Sequence, residues 1–294
     1  MTTKEQTFEL LEATGLNWTV NKIDLVSPQG YTTESFGIFR NDTTEWLGTV
    51  GNRYVPMQNY ELAETIVEAT NGIGLVTTKG GQLSGGSKVY LQAELPDEFI
   101  GKSGVKRNIT ALNSHDGSSS IGFGSSSTVV VCTNTFYRAY KGLDKFRHTA
   151  SAKERIERAM LDLRKALDLD KALMDNFKRM ADIPYNEQLA ERLIRRLFEV
   201  EPMASKDSVS TRKLNQVTAF ANSIEKEVNL EGNTIWALFN AVTRYTNHVA
   251  APKNADDKAE YLMTGGGYKF ATTGYEEIMA FIEKNTAKAS HIIF

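Results

Sequence analysis

The feature that most constrains the fold is a change of hydrophobic period midway along the chain. Up to residue 135 the apolar residues tend to alternate as a half-buried strand requires, and beyond residue 151 they recur every three to four positions, as on a helix. The clearest alternation is Lys88 to Leu95: Val89, Leu91, Ala93 and Leu95 fall on one face, Lys88, Tyr90, Gln92 and Glu94 on the other. Such a strand packs one face on a core and turns a polar, partly aromatic face to solvent or ligand. Further strands are read at 36–40, 46–50, 53–55, 73–78, 105–112 and 128–131. They are separated by turns at Asn41-Asp42, Gly51-Asn52, Gly80-Gly81, Gly85-Gly86 and the run Asn113-Ser114-His115-Asp116-Gly117-Ser118. One helix, Asn59 to Thr70, interrupts them, with Leu62, Ile66 and Ala69 on a buried face and Asn71-Gly72 at its end.

In the second half Ser151 and Glu154 form the signature of a capping box, heading a helix over 152–169 with the stripe Ile156, Met160, Leu163 and Leu167. Helices follow at 171–182, 187–199, 207–228, 233–247 and 275–285. The expected fold class is α+β: an antiparallel β-sheet with packed helices, followed by a helical C-terminal region. The expected organisation is an N-terminal arm over 1–35, a β-rich core region over 36–150 and a helical region over 151–294 packed on that core. Within the arm, Phe8, Leu11 and Ala13 are weak anchors of a short helix.

A single cysteine, Cys132, excludes an intramolecular disulfide framework and a multi-cysteine zinc site, and suits a reducing compartment. The start Met-Thr-Thr-Lys-Glu-Gln lacks a signal-peptide pattern, and no window approaches 18 uninterrupted apolar residues. A cytoplasmic protein with no membrane partner is expected. The net charge of −2 hides an asymmetry: residues 138–165 hold nine Lys/Arg against four Asp/Glu, a net of +5. A basic segment on an otherwise acidic chain suits a localised polyanion contact, and equally a solvated helix face.

Four chemistries are open to these residues. Cys132 with His115 or His148 could form a thiolate pair, although a cysteine closing a valine run is ordinarily a small core hydrophobe. His115, Asp116, His148 and His248 are permissible metal ligands, but only the adjacent His-Asp pair is closely spaced. The stretch Gly80 to Gly86 lacks the Lys-Ser/Thr ending of a P-loop and leads into a strand, so no nucleotide cofactor is expected from it. Single-stranded nucleic acid needs a positive groove with flat side chains for bases to stack on. The chain supplies Tyr90, Lys88, Lys106 and Arg107, then Phe136, Tyr137, Arg138, Tyr140, Lys141, Lys145, Phe146, Arg147 and His148 in close succession.

Five ordered motifs carry a resemblance to a family. They are Val50 to Asn59 (VGNRYVPMQN), Asn113 to Ser118 (NSHDGS), Val131 to Thr135 (VCTNT), Arg147-His148, and Thr234 to His248 (TIWALFNAVTRYTNH). Together they resemble the phage- and plasmid-like family known as domain of unknown function 932, over residues 35–250. Relatives carry an arginine in the strand where this chain reads Val129-Val130-Val131, so no role of that arginine transfers. The resemblance implies a mobile-element setting, and the plan of sheet plus helices with a basic aromatic junction is similar in outline to phage single-strand annealing proteins. It implies a non-enzymatic protein without cofactor or metal that binds single-stranded DNA in recombination or replication, assembled as a homo-oligomer, with a ring as one form.

On that reading Lys106, Arg107, Arg138, Lys141, Lys145, Arg147 and Lys153 contact phosphates, and Tyr90, Tyr137 and Tyr140 stack or line the groove. The motif residues Asn113, His115, Asp116, Cys132, Asn134, His148, Trp236, Asn240 and His248 are then structural. The rival readings are a metal-assisted or cysteine-dependent hydrolase or nucleotide-modifying enzyme built on His115, Asp116, Cys132 and His148, and a protein that binds and inhibits a host defence component.

Overall fold

The computed structural model describes residues 2–118, 122–129, 134–139, 152–200 and 210–291. The protein has an α+β fold, and its described strands form two antiparallel sheets. The chain opens with α1 (Thr3–Thr14), started by a reciprocal capping box. Thr2 N donates to Glu5 Oε2 at 2.8 Å and Glu5 N donates to Thr2 Oγ1 at 3.3 Å. Strands β1 (Val20–Val26), β2 (Thr32–Arg40) and β3 (Trp46–Gly51) then form the first sheet, in that order. Helix α2 (Asn59–Asn71) follows, and β4 (Thr77–Leu83), β5 (Lys88–Ile100), β6 (Ser103–Ser114), β7 (Gly122–Val129) and β8 (Thr135–Ala139) form the second sheet, also in sequence order. The remainder is helical: α3 (Ala152–Asp182), α4 (Glu187–Phe198), α5 (Thr211–Glu231), α6 (Ile235–Arg244) continued by a π-helical turn over Tyr245–Val249, α7 (Ala255–Met263) and α8 (Gly266–His291).

The described chain divides into two compact units. The first comprises residues 1–96, 107–126 and 139–170, the second 97–106, 127–138 and 171–294, so β5, β6, β7 and α3 each contribute residues to both. The core of the first unit joins Leu10 and Leu11 of α1, Leu62, Ile66 and Ala69 of α2, Val89 and Leu91 of β5, Ile109 and Ala111 of β6, and Leu163 and Ala166 of α3. Leu62, Ile66 and Ala69 form the face expected of α2, and β5 buries Val89, Leu91, Ala93 and Leu95 as its alternation requires. The core of the second unit is aromatic. Phe177 stands 5.0 Å from Trp236 and 5.1 Å from Phe239, centroid to centroid, and Phe136 stacks on Tyr275 at 5.6 Å.

Several local expectations are corrected. Leu11 anchors α1 as expected, but Phe8 and Ala13 are exposed and the second anchor is Leu10. Residues 20–26 form β1, paired with β2 from Val20 opposite Arg40 to Val26 opposite Thr32. Gly80-Gly81 is not a turn but lies within β4, which begins at Thr77 rather than Ile73. There an added Cβ at Gly81 would stand 3.0 Å from the Tyr90 hydroxyl, so the glycine makes room for the ring. The reversal comes at Ser84, Gly85 and Gly86, all with positive φ. Strand β7 begins at Gly122, so Ser125, Ser126 and Ser127 are buried strand residues and not a boundary. The expected helices at 152–169 and 171–182 are one helix, because Asp170-Lys171 contains neither glycine nor proline to break it. The final helix starts at Gly266, and α7 precedes it. Ser151 lies outside the described residues.

Replacing Phe177 by Ala removes a fully buried ring that touches four other aromatics. The expected loss is about 3–5 kcal/mol, read as a fall in the urea midpoint of unfolding.

Candidate functional site

In the first unit the Asn-Ser-His-Asp turn is held from three sides. His115 is fully buried, and its Nε2 lies 2.9 Å from Asn59 Oδ1. Asn59 Nδ2 in turn donates to the carbonyls of Leu16 and Trp18, at 3.2 Å each. The His115 ring packs against Trp18 at 5.3 Å, and the His115 N–H donates to the Ser87 carbonyl at 2.8 Å. The Tyr54 hydroxyl donates to the Ser114 carbonyl at 2.9 Å. Burial, with the charge of Asp116 acting the same way, pushes the Tyr54 phenol up to about 12. Burial also pushes the Asp116 carboxyl up, but hydrogen bonds from Ser118 and Ser114 and the charge of Lys88 outweigh it and leave the group below the ordinary carboxylate range. Gly48 of β3 passes directly against this turn: an added Cβ would stand 2.7 Å from Asp116 Cβ. His115 is thus a buried side chain hydrogen-bonded to Asn59 and packed on Trp18. Asn113, the turn's first residue, is buried as well.

The polar face of β5 continues across the sheet within the same unit. Gln92 Nε2 donates to Thr110 Oγ1 at 3.0 Å and to Ser126 Oγ at 3.3 Å, and Asn108 Nδ2 donates to Ser126 Oγ at 3.4 Å. Thr110 and Ser126 are buried beneath half-buried Gln92 and Asn108, and Tyr90, on the same face of β5, lays its ring against Gly81. Exposed Lys79 of β4 and Glu94 form an ion pair at the rim. The face is therefore a strip of neutral amides and hydroxyls bordered by a tyrosine and a lysine. It offers hydrogen bonds and a flat ring, and its acid among the described residues, Glu94, is engaged by Lys79. Arg107 points elsewhere: its Nε lies 3.1 Å from the carboxylate of buried Asp170.

The second unit contains Asn134, buried at the start of β8. Its Nδ2 donates to Glu227 Oε1 at 2.9 Å and to the Asn240 carbonyl at 3.1 Å. Arg244 also donates to Glu227 Oε1, and Asn240 Nδ2 donates to the Trp236 carbonyl at 3.0 Å. Trp236 belongs to the aromatic core. One helical turn on, burial pushes the Glu231 carboxyl up, a hydrogen bond from Ser103 opposes the rise, and the charge of Glu227 adds to it. Asn247, in the π-helical turn, donates through Nδ2 to the Thr135 carbonyl at 2.9 Å, and His248 beside it is exposed. Lys106 is exposed, Tyr137 is half-buried, and Arg138 lies over the Tyr275 ring at 4.4 Å.

Cys132, Tyr140, Lys141, Lys145, Arg147 and His148 lie outside the described residues, and Lys153 is described only as a position in α3. Among the described residues no group of three or more His, Cys, Asp or Glu is arranged to hold a metal ion. None of their helices is long and apolar enough to cross a membrane. Sequence reasoning missed Asn59, Gln92, Asn108, Ser126, Glu227, Arg244 and Asn247. Of these Gln92 carried a signal in its place on the polar face of an alternating strand, and Asn59, Arg244 and Asn247 lie within the quoted motifs without having been singled out.

A family model with the description Domain of unknown function (DUF932) matches residues 46–264 of the chain. No curated protein and no solved structure matches it.

Two outcomes are expected at the turn. Gly48→Ala forces the turn off β3 and lowers stability by about 1–3 kcal/mol, measured by urea unfolding. The raised Tyr54 phenol contributes stability that is fully present below the ordinary tyrosine value of 10.0 and is lost as pH rises through about 12. The stability advantage of the wild type over Tyr54→Phe therefore shrinks as the pH of parallel melts rises from 9 to 12.

Proposed function

The chain belongs to the Domain of unknown function (DUF932) family, and on that premise we propose that it is a non-enzymatic single-stranded DNA-binding protein that holds a strand with its bases accessible for pairing. The observation that carries this reading is the neutral strip of Gln92, Asn108, Thr110 and Ser126 beside Tyr90. Sequence-tolerant binding of a single strand needs flat rings for bases to stack on and cations along the backbone, and no titrating catalyst; the amides and hydroxyls beside Tyr90 add hydrogen bonds to such a face. On this reading His115, buried and hydrogen-bonded to Asn59, is a structural member of its turn. The basic segment over 138–165 supports a polyanionic partner. Strand annealing in recombination or replication, and assembly of copies into an oligomer along the strand, complete the proposal.

The test is fluorescence anisotropy of a labelled oligothymidylate titrated with the protein at several salt concentrations. Tyr90→Ala is expected to weaken binding by about tenfold, the loss of one stacked base. Lys106→Ala, at an exposed cation on β6, is expected to make the salt dependence shallower by about 0.7 in log–log slope. A wild-type protein that leaves the anisotropy unchanged at low salt overturns the proposal.

A further inference from the structure

We propose that Arg138 and Arg179, in the second unit, form an oxyanion subsite around Tyr275 that takes a phosphate group. On the reading above, which this inference rests on only for the source of the anion, that group is a phosphodiester of the bound strand. Arg138 projects from β8 and lays its guanidinium flat over the Tyr275 ring, 4.4 Å from carbon to centroid. Its Nη1 is buried and has no hydrogen-bond partner among the described residues. The Tyr275 hydroxyl accepts a hydrogen bond from Asn176 Nδ2 at 2.8 Å, and Asn176 Oδ1 accepts one from Arg179 Nη1 at 3.4 Å. Arg138, Tyr275, Asn176 and Arg179 thus form one connected chain of side chains drawn from β8, α8 and α3.

The charges around this chain are not balanced. Among the described residues neither guanidinium has a carboxylate within ion-pair distance, whereas Arg192, nearby in sequence on α4, is paired with Glu277 at 2.7 Å. Burial raises the Tyr275 phenol, the charges of Arg138 and Arg179 oppose that rise, and Glu283, from the same helix as Tyr275, adds to it. Two cations and one anion therefore act on a single hydroxyl. A guanidinium oriented by an aromatic ring keeps its in-plane N–H groups for a planar or tetrahedral oxyanion, and a neighbouring guanidinium strengthens the field at that point. Arg138 is half-buried and Arg179 exposed, so Arg138 supplies the fixed part of the subsite and Arg179 the part that meets solvent.

The decisive variant is Arg179→Gln, because an exposed side chain can be changed without loosening the aromatic core; Arg138→Gln is its companion. Thermal melting with inorganic pyrophosphate tests the subsite, and the salt dependence of oligothymidylate binding tests its source. The inference expects pyrophosphate to raise the wild-type melting temperature and Arg179→Gln to lose at least half of that rise. It also expects the oligothymidylate salt slope to become shallower by about 0.7 in Arg179→Gln. Equal rises in wild type and Arg179→Gln, or no rise in either, overturn the subsite. An Arg179-dependent rise in a protein that binds no oligothymidylate supports the subsite for a free phosphate compound and overturns the nucleic-acid reading. Oligothymidylate binding with the same slope in both proteins overturns the phosphodiester as its ligand.

Discussion

A carboxylate with no exposure to solvent, Glu227, sets the terms for the second unit. Burying such a charge without partners costs several kcal/mol, so the surrounding chain has to supply hydrogen bonds and a counter-charge. Asn134 supplies a hydrogen bond from the start of β8, and Arg244 supplies the charge from the end of α6. Because Asn134 also donates to the Asn240 carbonyl, one amide joins a strand to two helices. Everything that packs around it, from Phe136 to Trp236 and Phe239, depends on those elements keeping their places. Asn134 and Asn240, 106 positions apart in the chain, are in this way parts of one clamp.

The first unit uses a similar device at the His115 turn, built on neutral partners. Asn59 at the start of α2 satisfies two loop carbonyls with its amino group and meets His115 with its oxygen, while Tyr54 holds the Ser114 carbonyl. A histidine so fixed orders the turn that follows β6. Polar residues in the motifs thus stabilise particular backbone arrangements, and the groups left to meet a ligand are neutral amides on a sheet face and guanidinium groups at an aromatic ring. On the proposed reading these are the groups that meet the strand.

How far these arrangements can be read from sequence depends on whether the cause is local. The alternation of Lys88 to Leu95 and the 3.6-residue stripe of Leu62 and Ile66 follow from burial of one face, and both are legible. Gly80-Gly81 reads as a turn because glycine is the usual turn residue, and only the Tyr90 ring on the paired strand explains why it is a strand. The serines of β7 read as a boundary for the same reason, whereas Ser126 is made a strand residue by Gln92 and Asn108, 34 and 18 positions away. Turn residues His115 and Asp116 stand out by composition, but Asn59, 56 positions before His115, does not. Nothing around Glu227 distinguishes it from the solvated Glu225 of the same helix, since its partners Asn134 and Arg244 lie 93 and 17 positions away.

On the proposed reading this protein recognises a single nucleic-acid strand by a tyrosine-bordered sheet face of amides and hydroxyls, with outlying cations. The most direct measurement is the mass of the purified protein in solution by light scattering, with and without an unlabelled oligothymidylate, at low and at moderate salt. The account predicts a heavier species when the strand is present at low salt, reverting as salt rises. A mass that the oligothymidylate leaves unchanged at low salt would contradict it.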